Sequence, residues 1–477
     1  MYYPLKQFRL ILLLLLAVLI AAPLQTAAAQ DSVTTDNPVY IVQTGDTLSI
    51  IAARFGVSVN DLIQLNQISD PNLVSVGMHL SIPGLEGVSG VLTTTIIPLG
   101  QNMETLSRQY QLPKPQLIKL NRITSPAELY AGSALIITQS ETEPLLVAEG
   151  SVATGQALLS LAVGANANPW TVTLLNEIQG PSSTIPNDVL FRVPGGNETP
   201  ASPFSPYIQS VEISPLPLIQ GTTAEIRVRT TETLNLNGRL NGRDLHFFPI
   251  EGGYVALQGI HAMAETGPAP FELSGANSNK ESFSFQQNVL INSGNFAFDT
   301  RLMVDPATVD AANTGPEDEQ VRKIVAPTTP DKLWNGLFQP PVGVPAGYSM
   351  FPDCTTDRFG NRRAYNDGPY EFFHSGIDLS ACENTLNIYA PAAGIVVFTG
   401  SLTVRGNYTV IDHGWGVYSG YGHQSEIKVK VGDRVEPGQL IGLIGNTGRV
   451  TGPHLHWEIW VNGVLVQPLD WINQVYP

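Results

Sequence analysis

The pattern of apolar and polar positions in residues 40–83 predicts a small mixed α/β unit. A short apolar run comes first, two amphipathic stretches follow, and a second short apolar run closes the segment. This order predicts a strand over 40–43, helices over 48–55 and 60–66, and a strand over 79–82. The predicted unit is therefore βααβ.

The same pattern recurs twice more along the chain without a gap, at a spacing of 55 residues. Asn66, for example, becomes Asn121 and then Asn176 under this shift. A fixed period of this length indicates tandem copies of one structural unit. We expect these copies to occupy residues 39–84, 94–139 and 149–195.

Strand periodicity dominates the rest of the chain. Residues 196–206 are rich in Pro, Gly and Ser and predict a linker. Residues 207–300 contain short alternating stretches such as AEIRVRT, which predict an all-β immunoglobulin-like sandwich. A second linker with one short helix near 317–325 is expected over 301–332, and a last β-rich domain over 333–477.

The last domain places potential metal ligands on shared strand faces. In GPHLHWEIWV, strict alternation directs His454, His456 and Glu458 to one side of a strand. His374 and Asp378 are separated by four residues in a segment that Gly376 disfavours as helix, so they also share a face. Two histidines and one carboxylate form the three-ligand set of a catalytic zinc site, which keeps one position open.

The start of the chain predicts a cleaved signal peptide over residues 1–29. Lys6 and Arg9 precede an apolar stretch over 10–24, and small alanines follow before Gln30. An uncleaved membrane anchor is the alternative, but the apolar stretch is short for a membrane span. We therefore expect a secreted, periplasmic or wall-associated protein with no stable membrane span after cleavage.

Charge and cysteine content narrow the possible partners. The 477 residues contain 25 Lys and Arg against 41 Asp and Glu, a net charge of −16, which disfavours binding to nucleic acid. Cys354 and Cys382 are the two cysteines of the chain, and export permits a disulfide between them. Free thiols or zinc ligation by one cysteine are the alternatives.

The first βααβ unit resembles the LysM module, whose known members bind glycans that contain N-acetylglucosamine, such as peptidoglycan. The motifs that carry the resemblance are Gly45-Asp46-Thr47-Leu48, Leu65-Asn66 and Val76-Gly77-Met78-His79-Leu80-Ser81-Ile82-Pro83. The resemblance implies a glycan site formed by Asp46, Thr47, Asn72, Leu73 and Ser75. The second and third copies depart from the turn motif, and we expect them to be degenerate repeats.

The last domain resembles the lysostaphin-like (LytM-type) zinc metalloendopeptidases, which cut the peptide part of peptidoglycan. The matching motifs are Phe359-Gly360-Asn361-Arg362, His374-Ser375-Gly376-Ile377-Asp378, Ile411-Asp412-His413-Gly414, Tyr421-Gly422-His423, Val431-Gly432-Asp433-Arg434-Val435 and Thr447-Gly448-Arg449-Val450-Thr451-Gly452-Pro453-His454-Leu455-His456-Trp457-Glu458.

The resemblance assigns roles to five of these residues. It implies that His374, Asp378 and His456 hold one zinc ion per chain. His423 and His454 would then flank the reacting amide, one as proton acceptor and one as stabiliser of the developing negative charge. A disulfide between Cys354 and Cys382 would lie beside the metal site.

The sequence therefore predicts a secreted peptidoglycan hydrolase, a zinc endopeptidase anchored to glycan by its LysM repeat. The main alternative is a non-catalytic relative that binds the cell wall and regulates an amidase, although such adaptors usually lack metal ligands. A glycan-binding wall protein without zinc is the second alternative. Residues 429–445 also resemble lipoyl and biotinyl carrier domains, but no lysine follows at the hairpin tip.

Overall fold

The computed structural model describes residues 37–477 except for 73, 86, 89, 126–127, 140–146, 152–158, 160–161, 164–167, 177–179, 181–188, 193–203, 205–206, 344–353 and 382–384. The predicted signal peptide and most of the predicted linker 196–206 lie outside the described residues. The chain forms two compact units, one ending at Leu92 and the other running from Thr93 to Pro477.

The first unit contains the predicted βααβ repeat. Its elements are β1 (Val39–Ile41), α1 (Leu48–Phe55), α2 (Val59–Asn66) and β2 (His79–Ser81), and the two strands pair antiparallel. Asn66 joins α2 to β2, because its side chain donates to the Ser81 carbonyl at 2.8 Å and accepts from the Ser81 N–H at 2.7 Å. The asparagine that recurs in the sequence is thus a structural residue.

The second repeat has the same elements and lies in the second unit from Thr93 onward. They are β3 (Val91–Ile96), α3 (Met103–Gln109), α4 (Lys114–Asn121) and β4 (Ala134–Gln139). Asn121 makes the contacts of Asn66: it donates to the Ile136 carbonyl at 2.8 Å and accepts from the Ile136 N–H at 2.6 Å. The 55-residue period therefore reflects the same asparagine hydrogen bonds in both repeats.

Much of the third predicted repeat, 149–195, lies outside the described residues. Its described elements are β5 (Val147–Ser151), α5 (Pro169–Leu175) and β6 (Val189–Arg192), and β5 pairs antiparallel with β6. Helical residues also occur at 159 and 162–163, but the described residues between the paired strands do not establish the βααβ order. The third repeat therefore stays a prediction.

Residues 207–300 form the predicted β-sandwich. Its strands are β7 (Ile208–Ser214), β8 (Leu218–Ile219), β9 (Thr223–Thr230), β10 (Asn235–Leu240), β11 (Arg243–Leu245), β12 (Phe248–Ile250), β13 (Gly253–Gly259), β14 (Gly267–Ala276) and β15 (Ser282–Asn292). One sheet has the order β11-β10-β14-β15-β8 and the other β12-β13-β9-β7. Ile226, Phe271 and Leu273 belong to the apolar core between them. The predicted all-β sandwich is therefore confirmed, and its immunoglobulin-like arrangement stays a prediction.

The second repeat packs directly against the sandwich. The Ala131 N–H donates to the Asn288 carbonyl at 2.9 Å, and the side chain of Gln287 accepts from the Gly100 N–H at 2.7 Å and donates to the Gln101 carbonyl at 3.1 Å. Gly100 and Gln101 occupy the turn that corresponds to Gly45-Asp46 of the first repeat. In the second repeat, the sandwich thus covers this turn. The corresponding turn of the first repeat is expected to bind glycan.

The last domain is built on one large, mainly antiparallel sheet. Its elements are β16 (Thr355–Asp357), β17 (Arg362–Arg363), β18 (Phe372–Phe373), β19 (Ile377–Leu379), β20 (Asn387–Tyr389), β21 (Gly394–Leu402), β22 (Gly406–Gly414), β23 (Val417–Gln424), β24 (Glu426–Ile427), β25 (Arg434–Val435), β26 (Leu440–Leu443), β27 (Leu455–Val461), β28 (Val464–Val466) and a C-terminal helix (Pro468–Asn473). The sheet order is β16-β19-β27-β23-β22-β21-β25, and β28 pairs with β27. The predicted all-β domain is confirmed, with one short helix added at its end.

The sandwich and the last domain share an apolar core. Phe248, Val255 and Leu257 of the sandwich belong to the same buried cluster as Ile377 and Trp457 of the last domain. Because burial of apolar surface stabilises such a contact, the two parts form one packed body.

Within the described part of the chain, no single helix is long and apolar enough to span a membrane. Helices α1 and α2, bent by 107°, reach that length and apolarity only as a pair.

Residues 301–332, expected to be a linker, instead pack against the last domain. They contain a 3₁₀ turn (Pro306–Thr308) and helix α6 (Ala311–Ile324), which is longer than the helix expected near 317–325. Val321 and Val325 belong to the apolar cluster of Tyr408 and Tyr418. The burial of these valines attaches the segment to the last domain.

Candidate active site

Strand pairing brings the predicted metal ligands together. β19 lies antiparallel to β27 in a register that places Asp378 opposite His456. Gly376 permits this approach, because a Cβ atom there would lie 2.3 Å from the Trp457 carbonyl oxygen. His374, which precedes Gly376, therefore reaches the same face of the sheet.

The three ligand atoms form a compact donor set. His374 Nε2 lies 3.0 Å from Asp378 Oδ1 and 3.1 Å from His456 Nδ1, and His456 Nδ1 lies 2.7 Å from Asp378 Oδ1. Tetrahedral zinc with ligand bonds of about 2.0–2.1 Å separates its ligand atoms by roughly 3.3 Å. A slight outward movement of the side chains would thus accommodate the ion, and two imidazoles with one carboxylate suit zinc chemically.

Partners on the far side of each ring orient the two imidazoles. His374 Nδ1 lies 2.9 Å from the Arg358 carbonyl oxygen, and His456 Nε2 lies 3.2 Å from Glu458 Oε1. Both partners are acceptors, so these ring nitrogens donate, and the other nitrogen of each ring faces Asp378, where it could hold a metal ion. Glu458, which the alternation of the strand predicted on the same side as His456, is fully buried beside that histidine.

The electrostatics of the triad favour a cation. Although burial opposes ionisation, contacts with His374 and His456 hold the pKa of Asp378 well below its usual range. Burial lowers the pKa of His374. For His456, Asp378 and Glu458 outweigh the effect of burial and raise the pKa to about 9. A metal ion that binds here must displace the proton of His456. The affinity of the triad for the metal ion should therefore fall as the pH falls.

Two further histidines stand beside the triad, as predicted. His423 Nδ1 lies 2.8 Å from the Thr447 carbonyl oxygen, and burial together with His456 and His454 lowers the pKa of His423 to about 3. Its φ of 63° is unusual for a residue other than glycine and is typical of functional sites. The His454 and His423 rings are 4.9 Å apart, and His454 Nε2 lies 3.5 Å from Asp378 Oδ2.

The triad opens into a cleft of about 790 Å³ that other parts of the second unit help to line. Arg243 and His261 come from the sandwich, and Asp318 and Arg322 come from α6. The His261 ring also packs against the Phe373 ring, with the ring centres 5.1 Å apart. Sequence reasoning missed these cleft residues, because no local motif links them to the histidines of the last domain.

Some other predicted residues have local structural roles. His413 uses both ring nitrogens, toward the Ala393 carbonyl at 2.8 Å and the Ser419 hydroxyl at 2.7 Å, and burial lowers its pKa to about 4. Cys354 is disulfide-bonded, and no described cysteine is free. Cys382 lies outside the described residues, so its pairing with Cys354 stays a prediction.

In the first repeat, the predicted glycan-binding residues lie in the turns around α1 and β2. The Asp46 carboxylate accepts from the Tyr40 hydroxyl at 2.6 Å and from Arg54 at 3.0 Å, and its side chain is only 4% exposed. These contacts hold its pKa below the usual range, although burial opposes this effect. Asp46 therefore shapes the turn.

The other predicted residues of the glycan site also make local contacts. The Thr47 hydroxyl caps α1 by accepting from the Ile50 N–H, and Asn72 donates to the Asp70 carboxylate. The Ser75 carbonyl accepts from the Met78 N–H at 3.0 Å, and Leu73 lies outside the described residues. Sugar binding by this group stays a prediction.

Replacing Glu458 with glutamine is expected to weaken zinc binding by about 10–100-fold, the usual cost of losing a partner behind a metal ligand. The neutral amide is a weaker acceptor for His456 Nε2, which lies 3.2 Å from Oε1 in the native protein. A chelator-competition titration measures the affinity. Glu426→Gln, at an exposed carboxylate paired with Lys428, is the control, and equal affinities in both variants would contradict the orienting role.

Comparisons with known proteins agree with the site geometry. Residues 372–468 match the family model described as Peptidase family M23, and residues 40–83 and 99–138 match the LysM domain. The chain therefore carries an M23 peptidase domain and LysM domains. The second matched range shows that the LysM resemblance extends to the second repeat.

Several curated proteins resemble part of the chain. Peptidoglycan DD-endopeptidase ShyA of Vibrio cholerae serotype O1 is 49% identical over 90 residues, which are 19% of this chain and 21% of that protein. DD-carboxypeptidase/endopeptidase Mpg of Neisseria meningitidis serogroup B is 37% identical over 129 residues, 27% of this chain and 26% of that protein. The chain thus spans about a quarter or less of the length of these relatives.

Among solved structures, the catalytic domain of the antimicrobial peptidase lysostaphin from Staphylococcus simulans is similar to part of the chain. It is 25% identical, has a TM-score of 0.20, and covers 29% of this chain and 90% of that domain.

Proposed function

We propose that this protein is a zinc-dependent peptidoglycan endopeptidase that acts outside the cytoplasm. Its last domain, 333–477, would cleave peptide cross-links of the cell wall, and its first repeat, 39–84, would hold it on the glycan. The relatives ShyA and Mpg, which are named as DD-endopeptidases, support this reaction class.

The observation that carries the proposal is the donor set of His374, Asp378 and His456, with atoms 2.7–3.1 Å apart at the base of an open cleft. Three protein ligands leave a position free for the reaction, as in catalytic zinc sites. In this arrangement the three side chains would hold one zinc ion. When bound, zinc polarises the scissile carbonyl and activates water as a Lewis acid.

The two further histidines would take different roles. The depressed pKa of His423 keeps its ring neutral at physiological pH, and Nδ1 donates to the Thr447 carbonyl, so Nε2 can accept a hydrogen bond and orient the attacking water. We assign proton transfer to His454, because a ring with a pKa near 3 is a weak proton acceptor. His454 would take the proton of the water and return it to the leaving amine.

The first repeat would raise the concentration of cross-links near the active site. A linked binding module increases the effective concentration of substrate without new contacts at the reacting amide. In the second repeat, the contacts of Gln287 with Gly100 and Gln101 favour a structural role over glycan binding.

The first test is the zinc content of the purified protein together with the release of soluble peptides from isolated sacculi. We expect about one zinc ion per chain, and newly monomeric peptides in the presence of metal but not after chelation. Zinc binding with intact sacculi would contradict the endopeptidase proposal and favour a wall-binding adaptor. No zinc under metal-replete conditions would contradict the metal site itself.

A further inference from the structure

Carboxylates pair with only some of the arginines that line the cleft. Five arginines line it: Arg243, Arg322, Arg363, Arg405 and Arg449. Two of them are strongly paired, since Arg363 contacts Asp299 and Asp357, and Arg405 contacts Glu317, Asp318 and Glu458. The other three have no carboxylate within 4 Å among the described residues.

Arg449 is the most constrained of these three cations. Its Nη1 donates to the Thr308 carbonyl at 2.7 Å, its Nη2 donates to the Tyr365 hydroxyl at 3.0 Å, and its guanidinium lies 4.4 Å from the centre of the Tyr365 ring. A guanidinium has five N–H groups, so three remain without a partner among the described residues. These contacts therefore fix the side chain, and its remaining N–H groups are available to a ligand.

The surroundings of Arg449 favour an anionic ligand. Burial lowers the pKa of Arg449, and the guanidiniums of Arg363 and Arg405 add to this effect, whereas Tyr365 and Glu317 oppose it without reversing it. An anion in the cleft would offset this unfavourable accumulation of positive charge. A carboxylate is suited to the position, because it pairs with a guanidinium through two parallel hydrogen bonds.

Two parts of the chain outside the last domain complete this surface. Arg322 lies on α6 and Arg243 lies on β11 of the sandwich, and both side chains line the same cleft as Arg449. Thr308, which fixes Arg449, also precedes the last domain in sequence. The sandwich and the segment 301–332 thus contribute cations to a cleft whose reacting groups come from the last domain.

We propose that Arg449, with Arg322 and Arg243, forms a subsite that binds a free carboxylate of the peptide substrate next to the scissile amide. This inference rests on the proposed function and deepens it, because it makes substrate choice a property of the sandwich and of α6 as well. A substrate whose carboxylate is converted to an amide loses the charge that the three guanidiniums recognise.

The test compares two soluble peptide dimers cross-linked by a D-alanyl amide, one with a free carboxylate and one with a carboxamide on the residue that supplies the amide nitrogen. The native full chain should cleave the carboxylate dimer at least about 10-fold more efficiently in kcat/KM. Arg449→Met and Arg322→Met should each reduce this preference, and Arg449→Lys should keep part of it. Arg322 is exposed on α6, so its variant tests the subsite without disturbing the core.

Binding of the same two dimers to the metal-free chain, measured by calorimetry, separates this proposal from the catalytic one. Preferential binding of the carboxylate dimer that Arg322→Met abolishes would support the subsite even if neither dimer is cleaved. Arg239→Met, at an exposed arginine paired with Asp244 outside the cleft, should leave binding and cleavage unchanged. Equal binding and cleavage of both dimers by the native chain would overturn the subsite and leave the endopeptidase proposal intact.

Discussion

His454→Ala is expected to retain zinc and to lose about 100- to 10,000-fold of its endopeptidase activity, the usual contribution of a positioned acid–base group. His374→Ala is expected to lose both zinc and activity. The difference follows from geometry, because His374 Nε2 lies 3.0 Å from Asp378 Oδ1 within the donor set, whereas His454 Nε2 lies 3.5 Å from the other oxygen, Oδ2, outside the set. The first variant removes a proton acceptor and the second removes a ligand.

Zinc content by elemental analysis and peptide release from sacculi, measured on the same preparations, distinguish the two roles. His246→Ala is the matched control, because His246 is exposed on the sandwich and does not line the cleft. It should retain zinc and activity. Equal loss of zinc from His454→Ala and His374→Ala would show that the assignment of ligand and proton acceptor is wrong.

Arg405→Met is expected to destabilise the second unit by about 3–5 kcal/mol, the cost of removing one partner from a buried ionic network. Arg405 Nη1 lies 3.0 Å from Glu317 of α6, and Nε lies 3.2 Å from Glu458 of β27. Both carboxylates are buried. Without the guanidinium, two buried acidic side chains would remain with no cation between them, and α6 would lose its polar attachment to the active-site strand.

Chemical denaturation in the presence of a chelator measures this loss apart from any effect of bound metal. Lys323→Met, which removes an exposed ion pair with Glu319 on the same helix, is the control and should cost less than about 1 kcal/mol. A similar small loss in Arg405→Met would contradict the role of the network.

The effect of pH on this variant has a definite sign. Arg405 and His456 outweigh burial and hold the pKa of Glu458 well below its usual range, so the carboxylate contributes stability above the unfolded pKa of about 4.3 and loses it as the pH falls through the folded value. Removing Arg405 raises that folded value, and a protonated Glu458 costs less to bury. The stability difference between native protein and variant should therefore be largest near pH 7 and smaller toward pH 4.

Local patterns predicted those parts of the molecule that depend on neighbouring residues. The 55-residue period located two βααβ repeats, because each copy needs its asparagine to join the second helix to the closing strand, as Asn66 and Asn121 do. Alternation along GPHLHWEIWV placed His456 and Glu458 on one side of β27, where they lie 3.2 Å apart. Both predictions needed only the geometry of one element.

Other parts of the fold depended on contacts between distant segments. The sequence predicts a linker over 301–332 with one short helix near 317–325. The segment instead packs through burial of Val321 and through Arg405, about 90 residues after Glu317, with which it pairs. The cleft role of His261 was equally hidden, because it depends on packing of the sandwich against Phe373.

The sequence by itself therefore determined the two described repeats, the strand faces and the candidate metal ligands, since each depends on spacing within short segments. The tertiary structure alone decided that Gln287 covers the turn of the second repeat, that Arg405 joins α6 to Glu458, and that Arg449 keeps unpaired donors in the cleft. The physical reason is that these properties depend on which charges and carbonyls approach across sheets and domains. Such approaches are fixed by the packing of whole layers, which the order of residues within one segment does not specify.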